Sequence, residues 1–153
     1  MKSLISFAFA LLLAACHDEP VMTFGLGVRV DDGNEPAEPP LDEETIDWCI
    51  PPGAASGEGS GSSIDNWEIG EPPPHLFMDA EPHAEQNVYR VRVYVASEYE
   101  KDGIWWQPSE ILAERTYDGT FGESGGHDSF VVDFQGEPYT VQVLGLPATT
   151  TCF

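Results

Sequence analysis

Between Val21 and Val30 the chain alternates strictly, with Met22, Phe24, Leu26, Val28 and Val30 on one side of a period of two and Val21, Thr23, Gly25, Gly27 and Arg29 on the other. That alternation predicts a half-buried strand. It recurs from Val88 to Val95, where Tyr89, Val91, Val93 and Val95 form the core face and Val88, Arg90, Arg92 and Tyr94 the outer one. Phe130, Val132 and Phe134 form a third such set, and Gln135-Gly136-Glu137-Pro138 turns it into Tyr139, Val141 and Val143. This pair predicts a hairpin. Ile104-Trp105-Trp106 opens another strand, interrupted at Pro108. Ser109 to Arg115 could close one or two helical turns, but the flanking Pro108 and Gly119 and the β-rich neighbours favour a strand over Ile111 to Tyr117.

Between these runs the composition is that of turns and linkers. Asp31 to Glu44 holds seven acids and no apolar period, which predicts an exposed loop. Gly53 to Ser63 is nearly all Gly, Ser and Ala, a flexible linker composition. Gly119 to Gly126 reads as a glycine-rich loop. No long helical period occurs after residue 16. Short strands separated by Gly, Pro and Asp turns predict an all-β fold, a small antiparallel β-sandwich of immunoglobulin- or fibronectin-like type. The expected division is a segment 1–15, an acidic, loop-rich tether over 16–86 with some strand, and a sandwich core over 87–153.

The first residues change the picture most. Met1-Lys2-Ser3 leads into an apolar stretch from Leu4 to Ala15, followed at once by Cys16 and the polar His17, Asp18 and Glu19. One cation, a short apolar core and small residues before a break are the parts of a secretory signal peptide. The stretch is shorter than the roughly 20 apolar residues that a membrane-spanning helix needs. Its end, Leu13-Ala14-Ala15-Cys16, resembles the lipobox of bacterial lipoproteins. The resemblance covers residues 1–16 only. It implies cleavage before Cys16, acylation of that cysteine, and a lipid bilayer as partner through the acyl chains. In that family an aspartate straight after the cysteine retains the protein in the inner membrane, so His17 implies the outer membrane of the cell envelope.

Removing 15 of the 153 residues leaves 138, enough for one domain with a core. Loss of Lys2 takes the formal charge from -21 to -22. The excess is concentrated in residues 16–86, which hold 17 acids against Arg29 alone, and this part reads as a self-repelling spacer between membrane and domain. Such a charge excludes nucleic acid as partner and favours, if charge matters, a cationic envelope or external protein. With Cys16 consumed by lipid, Cys49 and Cys152 remain as an even pair in an oxidising compartment, and a Cys49–Cys152 disulfide is expected. Two free thiols and an interchain pair are the alternatives.

Candidate chemistry is sparse. His75, Asp79, His83 and Glu85 could offer metal ligands, but Pro74 and Pro82 mark the segment as irregular chain without fixed ligand geometry. Asp31, Asp32, Asn34 and Glu35, or the loop from Asp118 to Asp128, lack the alternate-position acids of a calcium loop. Ser124 with His127 and Asp128 lacks the strand-turn-helix setting of a nucleophile elbow, and three near-neighbours on one loop cannot easily face one another as a triad. No metal, cofactor or catalytic residue is assigned. Arg90, Arg92, Tyr94 and Trp106 are of the side-chain types that dominate binding surfaces, and an exposed patch of these four is the candidate binding site. The expected function is a non-catalytic binding or structural domain on a lipid anchor. The rivals are an inhibitor of a cationic hydrolase such as lysozyme and a small hydrolase or metal-dependent enzyme.

Overall fold

A computed structural model describes residues 18–33, 46–64, 74–99, 106–150 and 152. Its elements in chain order are β1 (Gly25–Asp32), β2 (Trp48–Ile50), β3 (Ser60–Ser63), β4 (His75–His83), β5 (Val88–Tyr99), β6 (Trp106–Asp118), α1 (Gly119–Glu123), β7 (His127–Phe134) and β8 (Glu137–Leu146). The strands form two antiparallel four-stranded sheets, ordered β2-β1-β8-β7 and β3-β4-β5-β6. The fold is thus a small all-β sandwich. Its second sheet is a meander of four consecutive strands, whereas immunoglobulin domains divide consecutive strands between sheets.

The alternating patterns place the core. Met22, Phe24, Leu26 and Val28 are buried on the inner side of the first sheet together with Val141, Val143, Val132 and Phe134. Facing them from the second sheet are Leu76, Met78, Ala80, Tyr89, Val91 and Val93, all in one apolar cluster. Burying aliphatic and aromatic side chains at about 1.5 to 3 kcal/mol each is what drives the two sheets together. The β7–β8 hairpin turns at Gln135 and Gly136, both at positive φ (54° and 80°), the backbone signature of a two-residue type I′ turn. Ile111 to Tyr117 lies in β6 and is strand.

Several expectations need correction. The sandwich does not begin at residue 87: β1 is an inner strand of the first sheet and β4 an inner strand of the second. The acidic part is therefore half of the fold, and only 34–45, 65–73 and the residues before 18 fall outside the described part of it. His75–His83, expected as irregular chain, is β4. Pro82 is tolerated there because β3 begins only at Ser60, opposite Ala80, so position 82 has no neighbour on that side that needs an N–H. Ser60–Ser63, expected as linker, is the short edge strand β3, and the expected glycine loop 119–126 contains α1. Asp118 caps α1 by accepting from Phe121 N at 3.1 Å. Gly122 lets α1 lie against the Phe24 ring, where a Cβ would collide. β6 runs through Pro108 as an edge strand with register shifts along β5, devices that blunt an exposed edge.

Met22 and Thr23, just before β1, are fastened at several points. Met22 N donates to Ala54 O at 2.8 Å and Gly53 N donates to Met22 O at 2.9 Å. Thr23 N donates to Asn87 Oδ1 at 2.9 Å, and Asn87 Nδ2 returns a bond to Thr23 Oγ1 at 2.8 Å. Cys49 and Cys152 are bonded, with Cα atoms 6.0 Å apart and 103 residues between them in sequence. The bridge ties the chain beyond β8 to the edge strand β2.

Candidate functional site

Arg90, Arg92 and Tyr94 share the outer face of β5, as the alternation requires. β4 lies alongside in register, so Asp79 stands opposite Arg92, Glu81 opposite Arg90 and Phe77 opposite Tyr94. Arg92 closes a two-pronged bridge on Asp79, Nε to Oδ1 at 3.0 Å and Nη2 to Oδ2 at 2.7 Å. Arg90 Nη2 donates to Glu81, and that hydrogen bond holds the Glu81 carboxyl below its ordinary range. The hydrogen bonds that Arg92 donates to Asp79 raise the guanidinium pKa above its ordinary value and hold it charged. Tyr94 is buried and stacked on Phe77 with ring centroids 6.0 Å apart, and burial raises its hydroxyl pKa.

This arrangement differs from the expected exposed patch. Both arginines are neutralised by in-register acids, so the face presents paired charges. Trp106 pairs with Tyr99, seven positions along β5 from Arg92, or about 23 Å at strand rise. The fourth expected member is thus at the far end of the hairpin. Sequence patterning shows which residues share a face of one strand, but the pairing of Arg92 with Asp79 depends on the register between two strands. That register was hidden once β4 read as irregular.

The metal candidates do not converge. His75, Asp79 and His83 share one face of β4 but stand four strand positions apart, about 13 Å per step, where ligands must meet within about 2 to 2.5 Å of an ion. Among the described residues no group of three or more His, Cys, Asp or Glu could hold a metal ion. Asp31 Oδ2 instead accepts from Arg29 Nε at 3.2 Å and from Gln142 Nε2 at 3.1 Å. Asn34 and Glu35 lie outside the described residues. Ser124, His127 and Asp128 point to separate partners: Ser124 Oγ donates to Phe121 O, His127 Nε2 is 3.3 Å from Gln142 Oε1, and Asp128 Oδ2 accepts from Tyr117 Oη at 2.9 Å. The three do not form a triad.

Two features escaped the sequence reading. A polar row of Arg29, Asp31, Gln142 and His127 crosses the outer face of the first sheet from β1 through β8 to β7, with Arg29 3% exposed. Its only sequence signal is Arg29 amid an alternating strand, and burial of the polar side of such a strand cannot be read from period alone. The second is an open cavity of about 340 Å³ at the seam between β2 and β3, lined by Cys49, Pro51, Ala54, Glu58 and Ser60 among others. Trp48 Nε1 bridges this seam to Ser60 Oγ at 3.2 Å. Glu58 Oε2 accepts from Ala55 N at 2.8 Å within the exposed turn 51–59. No known protein family, curated protein or solved structure matches the chain.

Proposed function

We propose that the chain is an envelope lipoprotein, anchored in the outer membrane through acyl chains on Cys16 and presenting a non-catalytic β-sandwich that binds or supports another envelope or external macromolecule. The observation that carries this reading is the lipobox-like Leu13-Ala14-Ala15-Cys16 placed where the apolar stretch ends. A disulfide between Cys49 and Cys152 fits an oxidising, exported setting. No helix among the described residues is long and apolar enough to cross a membrane, and on this reading the acyl chains supply the attachment. In favour of binding over catalysis, Asp31, Asp79, Glu81 and Asp128 are each engaged by a neighbouring donor.

The test is fractionation of cells making the wild-type chain and Cys16→Ser, with labelled palmitate in the medium. The wild type takes up label and sediments with the membrane, while the variant is unlabelled and soluble. Retention of the variant in the membrane fraction overturns the reading. The charge of -21 favours a second, narrower reading, an inhibitor of a cationic hydrolase such as lysozyme. Salt-sensitive inhibition of lysozyme by the soluble domain supports it, and full lysozyme activity at saturating domain removes it.

A further inference from the structure

We infer that the anchor holds the sandwich end-on and close to the bilayer, on a leash of about five residues, with turns 51–59 and 84–87 and helix α1 facing the lipid. The inference rests on the lipidation of Cys16 proposed above, and adds to it a distance and an orientation.

The distance follows from where the chain is fastened to the sandwich. Val21 already bridges to Ala55, Met22 is 1% exposed and bonded in both directions to the 53–54 turn, and Phe24 is wholly buried. The Thr23–Asn87 pair fastens the next residue to the second sheet. From Cys16 to Val21 is five peptide steps, which reach at most about 18 Å when fully extended. The acidic part cannot serve as the spacer that its composition predicts, because from Val21 onward the chain is committed to the fold.

The orientation follows from which end of the sandwich receives the leash. β1 starts at Gly25 beside the turn 51–59, the β4–β5 turn is bonded to Thr23, and Gly122 of α1 abuts Phe24, so all three connections gather at the entry end. β1 leaves that end and reaches Asp32 at the other, where Gly33 N donates to Pro138 O beside the β7–β8 turn. β5, 12 residues long, spans about 40 Å between the ends.

The test uses the full lipidated chain in vesicles of phosphatidylethanolamine and phosphatidylglycerol carrying a headgroup energy acceptor. An azide-bearing residue replaces Gln86 in the entry-end turn or Gln135 in the far turn, both exposed, and receives the same donor dye. Transfer from position 86 is expected to exceed that from position 135 at least twofold, because position 135 lies past the far end of β7, whose eight residues span about 26 Å from the entry end. Inserting a Gly-Ser segment of about twenty residues between Asp18 and Glu19 should erase the difference. Equal transfer from both positions in protein that floats with the vesicles overturns the orientation while leaving lipidation intact. A difference that survives the insertion overturns the leash as its cause. Protein that fails to float overturns the lipidation reading, and the inference with it.

Discussion

Two tyrosines in the core differ in one respect, and replacing each by phenylalanine should change stability in opposite directions. Tyr89 is fully buried, its ring 5.3 Å from Phe24 edge to face, and its hydroxyl has no hydrogen-bond partner among the described residues. Tyr117 is 4% exposed, packs against Phe121 at 4.5 Å, and donates from Oη to Asp128 at 2.9 Å. A buried hydroxyl without a partner costs about 1 to 3 kcal/mol of lost hydration, whereas a hydrogen bond to a carboxylate contributes about 1.5 to 3 kcal/mol. Tyr89→Phe keeps the ring and removes the penalty. It should stabilise by about 1 kcal/mol, a rise of roughly 3 °C in Tm for a domain of this size. Tyr117→Phe removes a bond and leaves Asp128 short of a donor, and should destabilise by about 2 kcal/mol. Urea titration of a soluble chain starting at His17, followed by tryptophan fluorescence, reads both. Loss of 1 kcal/mol or more in Tyr89→Phe would refute the reasoning, since it would mean that the hydroxyl is bonded in the native protein. The alkaline limb supplies a second check. Burial pushes the Tyr89 hydroxyl from 10 up to about 12, so above pH 10 the unfolded chain releases a proton that the folded one keeps. Stability therefore falls as pH rises from about 10 to 12, and Tyr89→Phe should make that fall less steep.

Reduction of the Cys49–Cys152 bridge, or its replacement by two serines, should cost about 4 to 5 kcal/mol for a closure of 103 residues, read as a shift of the urea midpoint with and without reductant. An unchanged midpoint would mean that the two cysteines are not joined. Gly122→Ala places a methyl against the Phe24 ring and should lower stability by about 1 to 3 kcal/mol in a thermal melt, more than the same change at Gly59, where a Cβ would meet nothing closer than 3.4 Å. Glu81 is held below its ordinary value of 4.5 by Arg90, so its stabilising effect is full above about pH 4.5 and is lost as the pH falls through its lower folded value. Glu81→Gln should flatten the fall of stability with decreasing pH below about 4.5, and an acid limb identical to the wild type would count against the pair.

The inner face was legible residue by residue wherever a strand alternated. Met22, Phe24, Leu26 and Val28, then Tyr89, Val91 and Val93, then Val132 and Phe134, are each buried as period two requires. The Cys49–Cys152 pairing was reachable by a different route, through the resemblance of Leu13-Ala14-Ala15-Cys16 to a lipobox, which sets Cys16 apart from the count. β4 was lost because His75-Leu76-Phe77-Met78-Asp79-Ala80-Glu81-Pro82-His83 carries two histidines, two acids and a proline, which resemble loop chemistry when counted by composition. Its inner residues Leu76, Met78 and Ala80 did alternate, but the flanking prolines outweighed them. β3 carries no apolar residue at all, and is a strand only because Ser60 to Ser63 find β4 alongside.

The candidate site shows the same division. Alternation alone put Arg90, Arg92 and Tyr94 on one face of a strand, since successive side chains must point to opposite sides. Which charges cancel them, and how far Trp106 stands from them, depended on strand order and register, which are set by non-local pairing. The sequence by itself determined the excess of negative charge, the all-β class and the apolar side of each well-patterned strand. Only the tertiary structure decided that β1 to β4 of the acidic half belong to the sandwich, that the two arginines face in-register acids, and that Val21 to Phe24 are fastened to the turns beside them. The physical reason is that period and composition are local properties, while burial of an outer face, neutralisation of a charge and the fastening of a strand's start depend on what another segment brings into contact.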